Sequence, residues 1–167
     1  EYFEWAKKHA DPAIKDYIHL GDLSKPLNHN KKYSIVNCTE VGEHIEKDAE
    51  DTLLTNIVSL VDDTLILTWS NEEHDGDGQH VNPRTKKYII DKLSKMGLLF
   101  WKEATSEIKN TLELSLEGVG HNWWPENIMV FKKAKFLDTK SRYFLQGIHT
   151  DDAGHARYLT ESNIRNY

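Results

Sequence analysis

Short apolar runs alternate along this chain with segments of helical spacing, and that alternation restricts the fold more than any single motif does. Residues 33–38 (Tyr-Ser-Ile-Val-Asn-Cys) and 64–69 (Thr-Leu-Ile-Leu-Thr-Trp) read as strands. Between them, residues 48–61 place Leu53, Leu54, Ile57, Val58 and Val61 on one helical face. The 64–69 run is almost continuously apolar, as expected where both faces of a parallel sheet are covered. A further helix is predicted to open at Pro83, carry Tyr88, Ile89, Leu93 and Met96, and stop at Gly97. Residues 98–101 read as a short strand, 103–116 as a helix, and 127–133 as a strand entered from Trp123-Trp124-Pro125. At the other end, residues 2–10 read as a helix closed by Asp11-Pro12, and 17–20 as a strand ending at Gly21-Asp22.

This order predicts an α/β layered fold with a mostly parallel sheet. Residues 17–20, 33–38 and 64–69 are expected to be neighbouring parallel strands, with 127–132 antiparallel at or near an edge. Residues 1–133 would form this domain. Residues 134–167 continue no such pattern and are expected to be an appended tail.

Composition narrows the function classes. The net charge of −6 argues against a sequence-independent grip on nucleic acid, which needs Lys and Arg to neutralise phosphates. A small-molecule substrate fits better. The apolar runs are far shorter than the ~20 residues that span a bilayer, and the N-terminal stretch is charged where a secretory signal would be apolar. The single cysteine, Cys38, rules out an intrachain disulfide and suits a reducing compartment, so a cytoplasmic location is expected. Within its strand Cys38 reads as a small hydrophobe. The chain begins at Glu1 with no Met, which fits a processed end or a fragment.

Five stretches then resemble class I S-adenosylmethionine (SAM)-dependent methyltransferases, in the family's order. They are Gly21-Asp22-Leu23 after a strand, Lys32 to Ile45, Asp63 to Ser70, His80-Val81-Asn82 before a helix ending at Gly97, and Asn127 to Lys133. The second stretch contains Glu40-Val41-Gly42-Glu43-His44-Ile45. It resembles the Glu-Val-x-Glu-His-Ile block of the branch that includes the ubiquinone-biosynthesis O-methyltransferases. Ser34 departs from that branch, which usually has Asp there. The resemblance implies a Rossmann-like methyltransferase fold that is partial: the glycine-rich cofactor loop would lie before Glu1, with roughly the first third of the domain missing. Gly76-Asp77-Gly78 and Gly118-Val119-Gly120 do not supply it, because neither lies between a strand and a helix as that loop must.

By resemblance, SAM is the cofactor and Asp22, Leu23, Glu40 and Val41 are its candidate contacts. Asp22 and Leu23 would meet the adenine, and the backbone at Glu40 and Val41 the methionine part. Asp22 equally reads as an Asx turn before Pro26. Methyl transfer to a hydroxyl needs alignment and a base, and His44 and His80 are the candidate catalytic residues. Glu40, Glu43 and His44 would share one face of a helical turn, with a helix-start cluster as the plainer alternative. Asn82 and Trp124 are candidate acceptor contacts, although a Trp at a strand entrance is commonly core or sheet-edge cover.

No metal site is assigned. The run His74-Asp75-Gly76-Asp77-Gly78-Gln79-His80 and the pair His149 and Asp151 carry ligand types for a divalent ion, but both read better as solvated polar loops. The expected activity is methyl transfer to a small-molecule oxygen, though activity of this chain alone is doubtful. Two alternatives stay open: a non-catalytic methyltransferase-fold binding domain, and a metal-dependent oxygenase or hydrolase. The oxygenase would require a β-rich jelly roll.

Overall fold

The computed structural model describes residues 2–71, 80–116 and 123–134, and the fold is an α/β arrangement around a four-stranded mixed sheet. The elements are α1 (Tyr2–His9), β1 (Tyr33–Cys38), α2 (Glu50–Leu60), β2 (Val61–Thr68), α3 (Lys86–Lys95), β3 (Leu98–Phe100), α4 (Lys102–Ser115), α5 (Trp123–Asn127) and β4 (Ile128–Lys133). The sheet order is β1-β2-β4-β3. β1 and β2 pair in parallel through α2, while β4 pairs antiparallel with both β2 and β3. The chain therefore passes from β2 through α3 to β3 and leaves a slot one strand wide, into which β4 returns.

That slot corrects the expectation of a mostly parallel sheet. β1, β2 and β3 do run in one direction, but β4 separates β2 from β3, so one strand pairing of three is parallel. β4 lies one place in from the β3 edge. Its central position explains its composition: Ile128, Met129, Val130 and Phe131 are all buried, so both faces of the strand are apolar. Trp101 N–H donates to Val130 O at 2.7 Å, and Val130 N–H donates to Thr105 Oγ1 at 2.9 Å, tying the start of α4 to the same strand.

The core forms where α2 and α3 pack on the sheet. Leu53, Leu54 and Ile57 of α2 and Ile89 and Leu93 of α3 meet Leu65, Leu67 and Trp69, which alternate along β2 and the residue after it. Burying each such side chain stabilises the fold by about 1.5–3 kcal/mol before entropy is counted. Gly97 adopts φ +84° after α3, the left-handed conformation that a glycine allows at a helix C-terminus.

Three local expectations are corrected. Residues 17–20 are not a strand: Lys15–Tyr17 form a 3₁₀ turn and residues 18–20 have no regular structure. Asp11 draws the preceding chain into turns, its Oδ1 accepting from Ala13 N–H at 2.7 Å and its carbonyl from Ile14 and Lys15 N–H. No described residue pairs with the outer edge of β1, where Ile35 is 63% exposed. Pro83 does not open α3. Thr85, extended in backbone, caps that helix by accepting from Tyr88 N–H at 3.3 Å, and just before it Arg84 N–H donates to Ser70 O at 2.9 Å. The entrance to β4 is helical and not extended: Trp124 sits in the one-turn helix α5, which leads directly into that strand. The tail from residue 135 onward, His149 and Asp151 within it, the 118–120 glycine pair and His74 to Gln79 lie outside the described residues. Among the described residues, no helix is long and apolar enough to cross a membrane.

Candidate functional site

The carboxyl ends of β1 and β2 are joined by a reciprocal pair of hydrogen bonds. Leaving β1, the chain turns through Glu40 at φ +57°, a left-handed conformation that a residue with a Cβ adopts at a cost. Glu40 N–H donates to Thr68 Oγ1 at 2.8 Å, and the Thr68 hydroxyl donates back to Glu40 Oε1 at 2.7 Å. This lock offsets the strain and fixes the direction in which the next residues leave the sheet.

Those residues form a 3₁₀ turn, Gly42–His44, packed against Trp69. The indole is fully buried, and a Cβ on Gly42 would stand 2.2 Å from its Cε3 atom. Only glycine allows the turn to approach the ring this closely. The same indole reaches the other wall of the site, donating from Nε1 to Asn82 O at 2.8 Å. Asn82 N–H in turn donates to Glu43 O at 2.9 Å. Residues 42–44 and 80–82, distant in sequence, are thus held side by side.

Three side chains converge there. His44 and His80 meet edge to face with ring centroids 4.9 Å apart, and Glu43 joins them. One ligand-type atom from each of Glu43, His44 and His80 lies within 4.8 Å of the other two. Glu43 is fully buried, and among the described residues neither carboxylate oxygen has a hydrogen-bond partner of acceptable geometry. Nδ1 of His80 is likewise buried without one. Burial pushes the Glu43 carboxyl above the usual carboxylate range. Its own backbone N–H opposes this, the Glu40 charge adds to it, and His44 and His80 pull the other way.

A second carboxylate, Glu50, holds the loop that carries His80. It is buried at the start of α2, with Oε2 accepting from Asn82 Nδ2 at 3.1 Å and Arg84 Nε at 2.7 Å. Oε1 accepts from the Tyr88 hydroxyl at 2.6 Å and from Lys92 Nζ. Burial alone would raise this carboxyl, but the donors of Lys92, Tyr88, Arg84 and Asn82 outweigh it and hold the group down at about 2. Arg84 also stacks over the Tyr88 ring, 4.6 Å from its centroid.

The structure gathers some of the sequence-predicted residues and sets others apart. His44 and His80 meet at the carboxyl end of the parallel pair, and Glu40 stands in the turn just before them, bonded to Thr68. Trp124 belongs to the same end of the sheet, since α5 leads into Ile128, the partner of Thr68. Val41 packs partly buried against the core. Asn82 is fully buried with its amide turned to Glu50, so it holds the loop. Asp22 forms the Asx turn: Oδ1 accepts from Ser24 N–H at 3.0 Å and Oδ2 pairs with Lys25 Nζ at 2.9 Å. Lys25 first and Ser24 second hold its carboxyl at about 2. Leu23 packs on the core, and its carbonyl accepts from Asn56 Nδ2 of α2 at 3.0 Å.

Glu40, Glu43 and His44 do not share a helical face. Glu40 stands outside the 3₁₀ turn, and within it Glu43 is buried while His44 is exposed. Sequence reasoning missed Glu50, although the signal was present: it falls at i, i+3, i+4, i+7 with Leu53, Leu54 and Ile57, an acid on an apolar stripe. It also missed Thr68 and Trp69, which read as plain strand residues. No protein-family model matches the chain, and no curated protein matches it.

Proposed function

We propose that the chain is part of a Rossmann-like, SAM-dependent methyltransferase domain acting on a hydroxyl of a small-molecule acceptor. The observation that carries this reading is the meeting of His44 and His80 at the carboxyl ends of a parallel strand pair, just after the turn at Glu40. That is where open α/β sheets receive their ligands. The left-handed, doubly bonded Glu40 adds support, because such strain collects where a backbone must take a set direction beside a ligand. Its backbone would border the methionine part of SAM. His44 is exposed beside it and is the candidate base for the acceptor proton. The mixed sheet, with three co-directional strands and a final antiparallel one, suits such a fold. It does not suit the jelly roll that the oxygenase reading requires.

Chemically, the methyl carbon of SAM is already activated by the sulfonium. The protein's task is to align the acceptor oxygen in line with the departing sulfur and to remove its proton. The described residues include no Gly-x-Gly-x-Gly turn, whose backbone donors and following helix N-terminus would supply much of the affinity. Weak binding by this chain is therefore expected. Ultraviolet photolabelling with methyl-tritiated SAM at millimolar concentration tests the reading. Label recovered in peptides covering residues 38–45 or 67–71 supports it, and label confined to other peptides, or none, contradicts it.

A further inference from the structure

We infer that Glu43, His44 and His80 form a binding site for one divalent transition-metal ion of the zinc class. The inference stands on side-chain geometry and is independent of the methyl-transfer reading.

The first observation is the grouping itself, with one donor atom from each of the three residues within 4.8 Å of the others. Around a tetrahedral ion with bonds of about 2.0–2.2 Å, ligand atoms stand roughly 3.3–3.6 Å apart, so modest side-chain rotation closes the set. The second observation is independent and points to a missing partner. A carboxylate with no exposed surface and, apart from the pull of its own backbone N–H, no hydrogen-bond partner of acceptable geometry among the described residues is costly to bury, as is the unpartnered Nδ1 of His80. A cation there satisfies the carboxylate, and coordination through Nδ1 of His80 would satisfy that atom as well. Glu40 is outside the set, because its carboxylate is already engaged by Thr68.

The donors decide the kind of ion. Two imidazoles and one carboxylate suit zinc and its borderline neighbours, whereas magnesium and calcium favour all-oxygen sites. Three protein ligands, one of them exposed, leave a coordination position open to water or to a ligand hydroxyl. A metal so placed lowers the pKa of the oxygen it binds. That step would serve acceptor deprotonation and rests on the methyl-transfer reading, whereas metal binding does not.

Equilibrium dialysis of the full 167-residue chain against zinc, with cobalt absorption as a second readout, tests the inference. Expected are one equivalent bound and tetrahedral-type visible bands with cobalt. Glu43→Gln and His80→Asn should each weaken binding by at least about tenfold. His44→Asn, at an exposed position, provides the same test without disturbing the interior. A double variant outside the set, His74→Asn with Asp75→Asn, should bind as the parent does. The inference is overturned by no zinc binding to the parent, by unchanged binding in His44→Asn, by loss in the His74 and Asp75 double variant instead, or by preference for magnesium over zinc.

Discussion

The Trp69 indole lies so close to Gly42 that a Cβ there would stand 2.2 and 2.3 Å from two of its ring carbons. The contact joins the turn after β1 to the residue after β2, and the same indole grips Asn82. Gly42→Ala must therefore move either the buried ring or the turn carrying Glu43 and His44. A loss of about 1–3 kcal/mol is expected, typical of overpacking, with a changed tryptophan emission. Urea denaturation measures it, and parent-like stability would contradict the packing described.

Glu50 should make the protein acid-sensitive in a definite window. Its folded pKa, about 2, lies below the ordinary value of 4.5, so its contribution is fully present above about pH 4.5. That contribution is lost as pH falls through the range down to about 2. Glu50→Gln should flatten this part of the stability–pH curve. At neutral pH it should cost about 3–5 kcal/mol, because it leaves Arg84 and Lys92 without their shared buried partner. Chemical denaturation of both proteins from pH 2 to 7 checks the slope.

Thr68→Val should loosen the lock at the strand ends without removing bulk from the sheet. It deletes both hydrogen bonds to Glu40, each contributing about 0.5–1.5 kcal/mol net. The Glu40 amide should then exchange with solvent faster, while amides inside α2 change little. Hydrogen exchange followed by NMR distinguishes this local effect from a general loss of stability.

Cys38, buried at the end of β1, should be nearly inert as a thiol. Burial pushes its pKa up to about 11, so little thiolate exists near neutrality. Iodoacetamide at pH 7.5 should modify the native chain slowly and the denatured chain quickly, at one equivalent. Rapid native modification would mean that the β1 end is open.

Periodicity made much of this fold legible. β1, α2, β2, β3, α4 and β4 lie within a few residues of their predicted spans, because each carries a run whose spacing matches one element. Gly97 was legible for the same local reason. Residues 17–20 were not, since a strand needs a partner and Asp11 offers the preceding backbone nearer bonds. The order of β3 and β4 was hidden as well, being set by which slot the last strand fills. At the site, His44 and His80 were each visible as candidates. Their meeting with Glu43 was not, because it depends on an irregular backbone bond from Asn82 to Glu43 and on the buried Glu50 clamp.

The most direct test of the proposed cofactor site is a SAM titration of the isotope-labelled chain followed by two-dimensional amide NMR. The amides of Glu40, Val41, His44 and Ser70 should shift together, with an affinity well weaker than micromolar. Shifts confined to α1, α4 or the outer edge of β1, or an unchanged spectrum at millimolar SAM, would contradict the assignment of this sheet end to the cofactor.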